Sequence, residues 1–164
     1  MKNARRFVFE KGDHMEDSKS ATSEHIATVN RIGAKFVVAL KNRLIVHDKS
    51  KLKEPEKKYL DVHTVGLKGS IYMSDEYKET LQKMSPGLAH HYSHNDHHPQ
   101  KYKNGVAGMS LLAITEMLID WCAAVQRHED GDILVSIEEN QKRYKYSDEL
   151  KQIFLNTVKE MKCL

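Results

Sequence analysis

The sequence predicts an all-α fold, a compact single-domain bundle of about five to seven helices over residues 1–164. Three observations carry that expectation. Apolar residues recur at helical spacing along much of the chain, and no run alternates apolar and polar residues for long enough to suggest a sheet. Only 8 Gly and 3 Pro punctuate 164 residues, and no repeat recurs at a fixed period. The length suits one domain rather than two.

From Ser20 to about Leu44, the residues Ile26, Val29, Ile32, Phe36, Val37 and Leu40 mark one long helix ending near His47, with Thr22 or Ser23 as its N-cap. Residues 49–70 hold Pro55, Gly66, Gly69 and a dense Lys/Glu content without sustained period, which predicts a loop or a short helix in a mobile excursion. Ser74 followed by Asp75 and Glu76 starts a helix that Pro86-Gly87 interrupts. A new helical turn after Ser85 is expected to carry a histidine-rich block until Pro99 ends it. Met109 to Val125 is the most apolar segment and lacks Pro and Gly, which marks a central buried helix. Gly131 breaks it, Ile133 to Tyr144 reads as another helix, and Ser147 with Asp148 and Glu149 opens a C-terminal amphipathic helix through Ile153, Phe154, Val158 and Met161.

Bulk properties exclude several classes of function. Lys+Arg of 26 against Asp+Glu of 23 gives a net charge of +3, too mild for a nucleic-acid stripe. The two cysteines, Cys122 and Cys163, lie far apart and offer neither a disulfide framework nor a CxxC zinc site, which suits a reducing compartment. No apolar run approaches the ~20 residues that span a bilayer, and none follows the basic N-terminus in the manner of a signal peptide. The expectation is a cytoplasmic protein without membrane or nucleic-acid partners, with homo-oligomer formation left open.

One compositional excess remains. Of ten histidines, His90, His91, His94, His97 and His98 fall within nine positions, where an even spread would place roughly half of one. On a helix, the pairs His90/His94, His91/His94, His94/His97 and His94/His98 would stack imidazoles on one face, where two or three ligate one ion. A solvated helix end or an adventitious surface metal patch is the plainer alternative. His47-Asp48 offers an imidazole and a carboxylate at the end of the long helix, and His25 lies earlier on that helix. Glu116 and Asp120 share one stripe of the apolar helix, where an unpaired acid costs several kcal/mol and must find a cation or a donor. His14, His63 and His128 sit in loop-like or charged sequence and read as surface residues.

The order His25, His47-Asp48, a block with His97-His98, and then Asp120 resembles the HD-domain superfamily of metal-dependent phosphohydrolases. The stretch His47-Asp48-Lys49-Ser50-Lys51 looks like the HD-x-x-K of the subset named for its HD and GYP motifs, although Pro99-Gln100-Lys101-Tyr102 stands where that subset carries GYP. HHYSHNDHHPQ followed by EMLIDW is also similar to a small uncharacterised HD-like family of phages and bacteria. The resemblance spans residues 25–120 and implies an HD-like helical domain with its core motifs in 20–128 and its C-terminal helices in 132–164. It implies that His25, His47, Asp48 and Asp120 hold a first metal. Asp48 would bridge to a second ion held by His97 and His98, with His91 or His94 as the remaining ligand.

The chemistry so implied is hydrolysis of a small phosphate substrate, a nucleotide or related phosphoester. One or two divalent ions (Mn, Co, Mg, Ni, Zn or Fe) would acidify a bound water and neutralise phosphoryl charge. Lys51, one turn beyond Asp48, would contact a phosphate oxygen. Glu116 would accept a proton or hold a histidine ligand in its tautomer, and Asn95 would donate to the substrate or cap its helix. Two other classes share these ligands: a di-iron oxygenase of the HD type, and a non-catalytic metal- or nucleotide-binding protein.

Overall fold

The structure is a computed structural model that describes residues 18–69, 75–127 and 131–163, with backbone alone for 64–69 and Tyr77. The expectations for His14, Ser74 and His128 lie outside the described residues. Regular structure among the described residues is entirely helical: seven α-helices, three short 3₁₀ turns and no strand, in agreement with the all-α prediction. The chain divides into two compact units, Met1–Val38 and Ala39–Leu164.

In the first unit the described structure is the N-terminal part of α1 (Ser18–Val46). The helix starts earlier than predicted, and Thr22 and Ser23 do not cap it. Their hydroxyls donate back to the carbonyls of Ser18 and Lys19, at 2.6 and 2.8 Å. Such back-bonding belongs to a helix interior. Ile26, Val29, Ile32, Phe36 and Val37 keep the predicted spacing but are exposed, because no other described element of this unit lies over them.

The second unit holds the core. α5 (Leu111–Val125), α6 (Ile133–Tyr144) and α7 (Asp148–Glu160) each begin at a capping side chain: Ser110 accepts from Ala113 N, Asp132 from Leu134 N and Ser147 from Leu150 N. Met117, Leu118, Trp121 and Cys122 of α5 pack with Ile133, Ile137, Tyr146, Phe154 and Val158. Trp121 meets Phe154 edge to face at 5.7 Å and stacks on Tyr144 at 6.2 Å between centroids. This packing fixes the rotation of α5 about its axis, and so sends Glu116 and Asp120 to the other side of the helix.

Two predicted elements differ. Residues 49–69 form a succession of elements, a 3₁₀ turn at Lys49–Leu52 and then α2 (Glu56–Gly69), whose first residue is buried. α3 (Asp75–Lys83) leads to α4 (Ser85–His94), which packs on α2 so closely that a Cβ on Gly87 would lie 2.9 Å from Tyr59 Cβ. Moreover, α4 does not carry the whole histidine block to Pro99. It ends at His94, and Asn95 takes extended angles of φ −108° and ψ 122°. The Asn95 N–H still donates to the His91 carbonyl at 3.1 Å, and its side-chain Nδ2 donates to the same oxygen at 2.9 Å, so that Asn95 closes the helix end.

Candidate metal centre

Three parts of the second unit converge here. The last turn of α1 delivers Arg43, and His47 follows directly after the helix ends at Val46. The chain then leaves the helix, and Asp48 adopts the left-handed conformation, φ 55° and ψ 10°. Aspartate is among the few side chains that tolerate this region. The turn returns its carboxylate toward the preceding imidazole, with Oδ2 3.6 Å from His47 Nε2 and 2.5 Å from Lys51 Nζ. α5 supplies Glu116 and Asp120 one turn apart on one face. α4 supplies His91, and the turn beyond Asn95 brings His97 and His98 back beside it.

His47, His91 and His97 share one orientation rule. Their Nδ1 atoms meet buried acids and their Nε2 atoms point inward. Glu116 Oε1 lies 3.0 Å from His47 Nδ1 and 3.3 Å from His97 Nδ1, while its Oε2 accepts from Arg43 Nε at 2.8 Å. Glu56 Oε2 lies 2.8 Å from His91 Nδ1. On the inner side, His47 Nε2 is 3.4 Å from Asp120 Oδ1, His91 Nε2 is 3.2 Å from Asp48 Oδ1, and His98 Nε2 is 2.8 Å from His91 Nε2. Asp48, His91, His97 and His98 offer ligand atoms within 4.8 Å of one another, and so do His47, His97 and Asp120.

Among the described residues, two buried side-chain polar atoms have no hydrogen-bond partner, Asp48 Oδ1 and His97 Nε2. They lie 3.4 Å apart in the middle of these donors. Native interiors rarely leave such atoms unsatisfied, and a cation answers an orphaned carboxylate oxygen and an orphaned imidazole nitrogen together. The donors are nitrogen and oxygen without thiolate, which fits Zn, Fe, Mn, Co or Ni. The residues present thus fit a divalent ion.

The electrostatics describe a centre assembled for positive charge. Asp120 and Glu116, accepting from His47, push its imidazole up to about 10, against burial and with help from Asp48. Burial works against ionisation of Asp48, yet His91, His97 and Lys51 beside it hold the carboxyl far below the usual range. The Glu116 carboxyl is likewise held low by His47, His97 and Arg43 in spite of its burial. His98 goes the other way: burial first, then the neighbouring His97 and His91, push it down to about 3, so that it stays a neutral donor at ordinary pH.

Of the residues expected in the site, His47, Asp48, His91, His97, His98 and Asp120 come together. His94 does not. His25 is an exposed residue of the first unit. His94 is exposed and stacks on His90 at 3.9 Å, with Nδ1 on the His90 carbonyl at 2.8 Å. Its predicted pairs with His97 and His98 required a continuous helix, which ends before them. Lys51 engages Asp48, and Asn95 caps α4 while also donating to Ser50 Oγ at 2.9 Å.

Sequence reading missed Arg43, Ser50, Glu56 and Asp96. Arg43 follows Phe36 and Leu40 at the spacing of the apolar stripe and precedes His47 by one turn, which was a usable signal. Its guanidinium spans Glu116 and Asp96, the latter at 3.2 Å. Glu56 stands among lysines with no periodicity around it, and nothing in the sequence marked it as buried.

An all-α chain with a histidine- and carboxylate-lined centre, held by the end of one helix and the faces of two more, is the class that fold and site define. Residues 14–162 match the profile described as "Family of unknown function (DUF5662)", and the chain belongs to that family. No curated protein and no solved structure matches the chain. Among the described residues, no helix is long and apolar enough to cross a membrane.

Proposed function

We propose that this protein is a metal-dependent phosphohydrolase acting on a nucleotide or a related phosphoester. The observation that carries the reading is the orphaned pair, Asp48 Oδ1 and His97 Nε2, buried at the centre of six convergent donors. His47, Asp48, His91, His97, His98 and Asp120 would hold one or two divalent ions. Such ions supply an acidified water as nucleophile and neutralise charge on the phosphoryl oxygens.

The chain's own groups do the rest. Glu116, clamped by Arg43, holds His47 and His97 through Nδ1, so that both present Nε2 to the centre. Lys51 is part-exposed at the rim, and an ammonium has three donors, of which its contact with Asp48 uses one. That leaves donors with which Lys51 would meet a phosphate oxygen as a point charge. Asn95 acts as a cap and as a support for Ser50, a structural use that takes the place of substrate contact.

Incubating the purified protein with a panel of nucleotides and Mn²⁺, Co²⁺, Mg²⁺ or Ni²⁺ tests the proposal. Phosphate or nucleoside monophosphate release that disappears in Asp48→Ala supports it. Nucleotide binding without release under any of these metals identifies a non-catalytic binding protein instead. A coloured, oxygen-consuming iron form that releases no phosphate identifies an oxygenase.

A further inference from the structure

We propose that Glu56 is a positioning residue which fixes His91 in the tautomer that can bind a metal. The proposal rests on the reading of this centre as a metal site, but not on phosphoester hydrolysis. Glu56 opens α2, and its side chain is 1% exposed. Burying a carboxylate is costly unless its oxygens are satisfied, and here each oxygen has a defined partner. Oε1 lies 2.8 Å from His90 Nδ1, and Oε2 lies 2.8 Å from His91 Nδ1 and accepts from Ser50 Oγ at 2.9 Å.

Three groups reach His91 Nδ1, Glu56 Oε2 at 2.8 Å, Asn95 Nδ2 at 2.9 Å and Ser50 Oγ at 3.2 Å, and the carboxylate, which only accepts, decides where the hydrogen lies. Asn95 Nδ2 spends its two donors on Ser50 Oγ and the His91 carbonyl, both at 2.9 Å. Ser50, receiving one of these, donates its own hydrogen to Glu56 Oε2. A carboxylate only accepts, so the hydrogen between Oε2 and His91 Nδ1 belongs to the imidazole. That leaves the lone pair on Nε2, the atom facing Asp48 Oδ1 at 3.2 Å. Without an acceptor at Nδ1 the ring would be free to take the other tautomer, whose Nε2–H cannot ligate.

The consequence is a division of labour. Glu116 sets the rings on the α1 and α5 side of the centre, and Glu56 sets His91 on the α4 side. Glu56→Ala should weaken Zn²⁺ or Mn²⁺ affinity, measured by titration of the full chain without substrate, by about 10- to 100-fold. Glu56→Gln should recover most of that loss, because its amide oxygen is drawn toward the two donors Ser50 and His91. His90→Ala, which removes the other partner and leaves the acceptor at His91, should stay within about threefold of wild type, well below that range.

Histidine ¹⁵N NMR of the metal-free wild type tests the assignment without metal, activity or a folded variant. His91 protonated on Nδ1, alone or together with Nε2, supports it, and His91 protonated on Nε2 alone overturns it. Equal metal affinity in wild type and a folded Glu56→Ala also overturns it. If hydrolysis fails but these results hold, the phosphohydrolase reading falls and the role of Glu56 stands.

Discussion

Asp48 is the residue on which the centre turns. Its left-handed backbone lets a residue adjacent to His47 bring its carboxylate back to the same cluster, which two consecutive helical positions about 100° apart would not do. Its neighbours separate ligands from bystanders. His91→Ala should remove bound metal, whereas His94→Ala should leave metal stoichiometry unchanged, since His94 is exposed and stacked on His90. Elemental analysis of both purified variants checks this. The pH dependence follows from His47 and His98. In the metal-free protein His47 holds its proton up to about 10, so an incoming ion must displace it. Metal affinity should therefore rise about tenfold per pH unit between pH 7 and 9 for that one proton, measured by titration with a competing chelator.

The same two residues give opposite stability slopes. The raised value of His47 contributes stability in full below the unfolded value of about 6.5, and that contribution is lost as pH rises toward 10. His98, pushed down to about 3, contributes above about 6.5 and loses its contribution as pH falls toward 3. Urea denaturation of chelator-treated protein should accordingly show greatest stability near neutral pH. A monotonic rise from pH 5 to 9 would contradict it.

At the scale of elements, helices were legible where burial is one-sided. α5, α6 and α7 lie close to their predicted bounds because an apolar stripe and a capping Ser or Asp both mark them. α2 was left between a loop and a short helix, since its 14 residues carry no sustained apolar period, and of its described side chains only Glu56 is buried. α4 was predicted too long because a polar sequence carries little to distinguish a helix from the capped turn that follows it. The core of α5 is testable independently of the site. Trp121→Ala should cost about 3–5 kcal/mol in denaturant unfolding through the cavity it leaves beside Phe154 and Tyr144. Gly87→Ala should cost about 1–3 kcal/mol by forcing α4 away from Tyr59 of α2. It should also weaken metal binding, since α4 carries His91.

For the whole molecule, chain order pointed to the centre more reliably than helical spacing did. His47-Asp48, His97-His98 and Asp120 come together from separate elements, as their order suggested, while the pairs expected from i,i+3 and i,i+4 spacing within the histidine block do not form around the centre. Glu56 and Asp96 are visible only in three dimensions, because a buried polar residue is defined by what packs over it. All of this rests on a divalent ion occupying the space between Asp48 Oδ1 and His97 Nε2. The direct measurement is metal content by mass spectrometry after purification and dialysis. One or two divalent ions per wild-type chain, lost in Asp48→Ala with helical circular dichroism unchanged, is the predicted result. A wild-type chain that retains no metal after loading, or equal occupancy in Asp48→Ala, would contradict it.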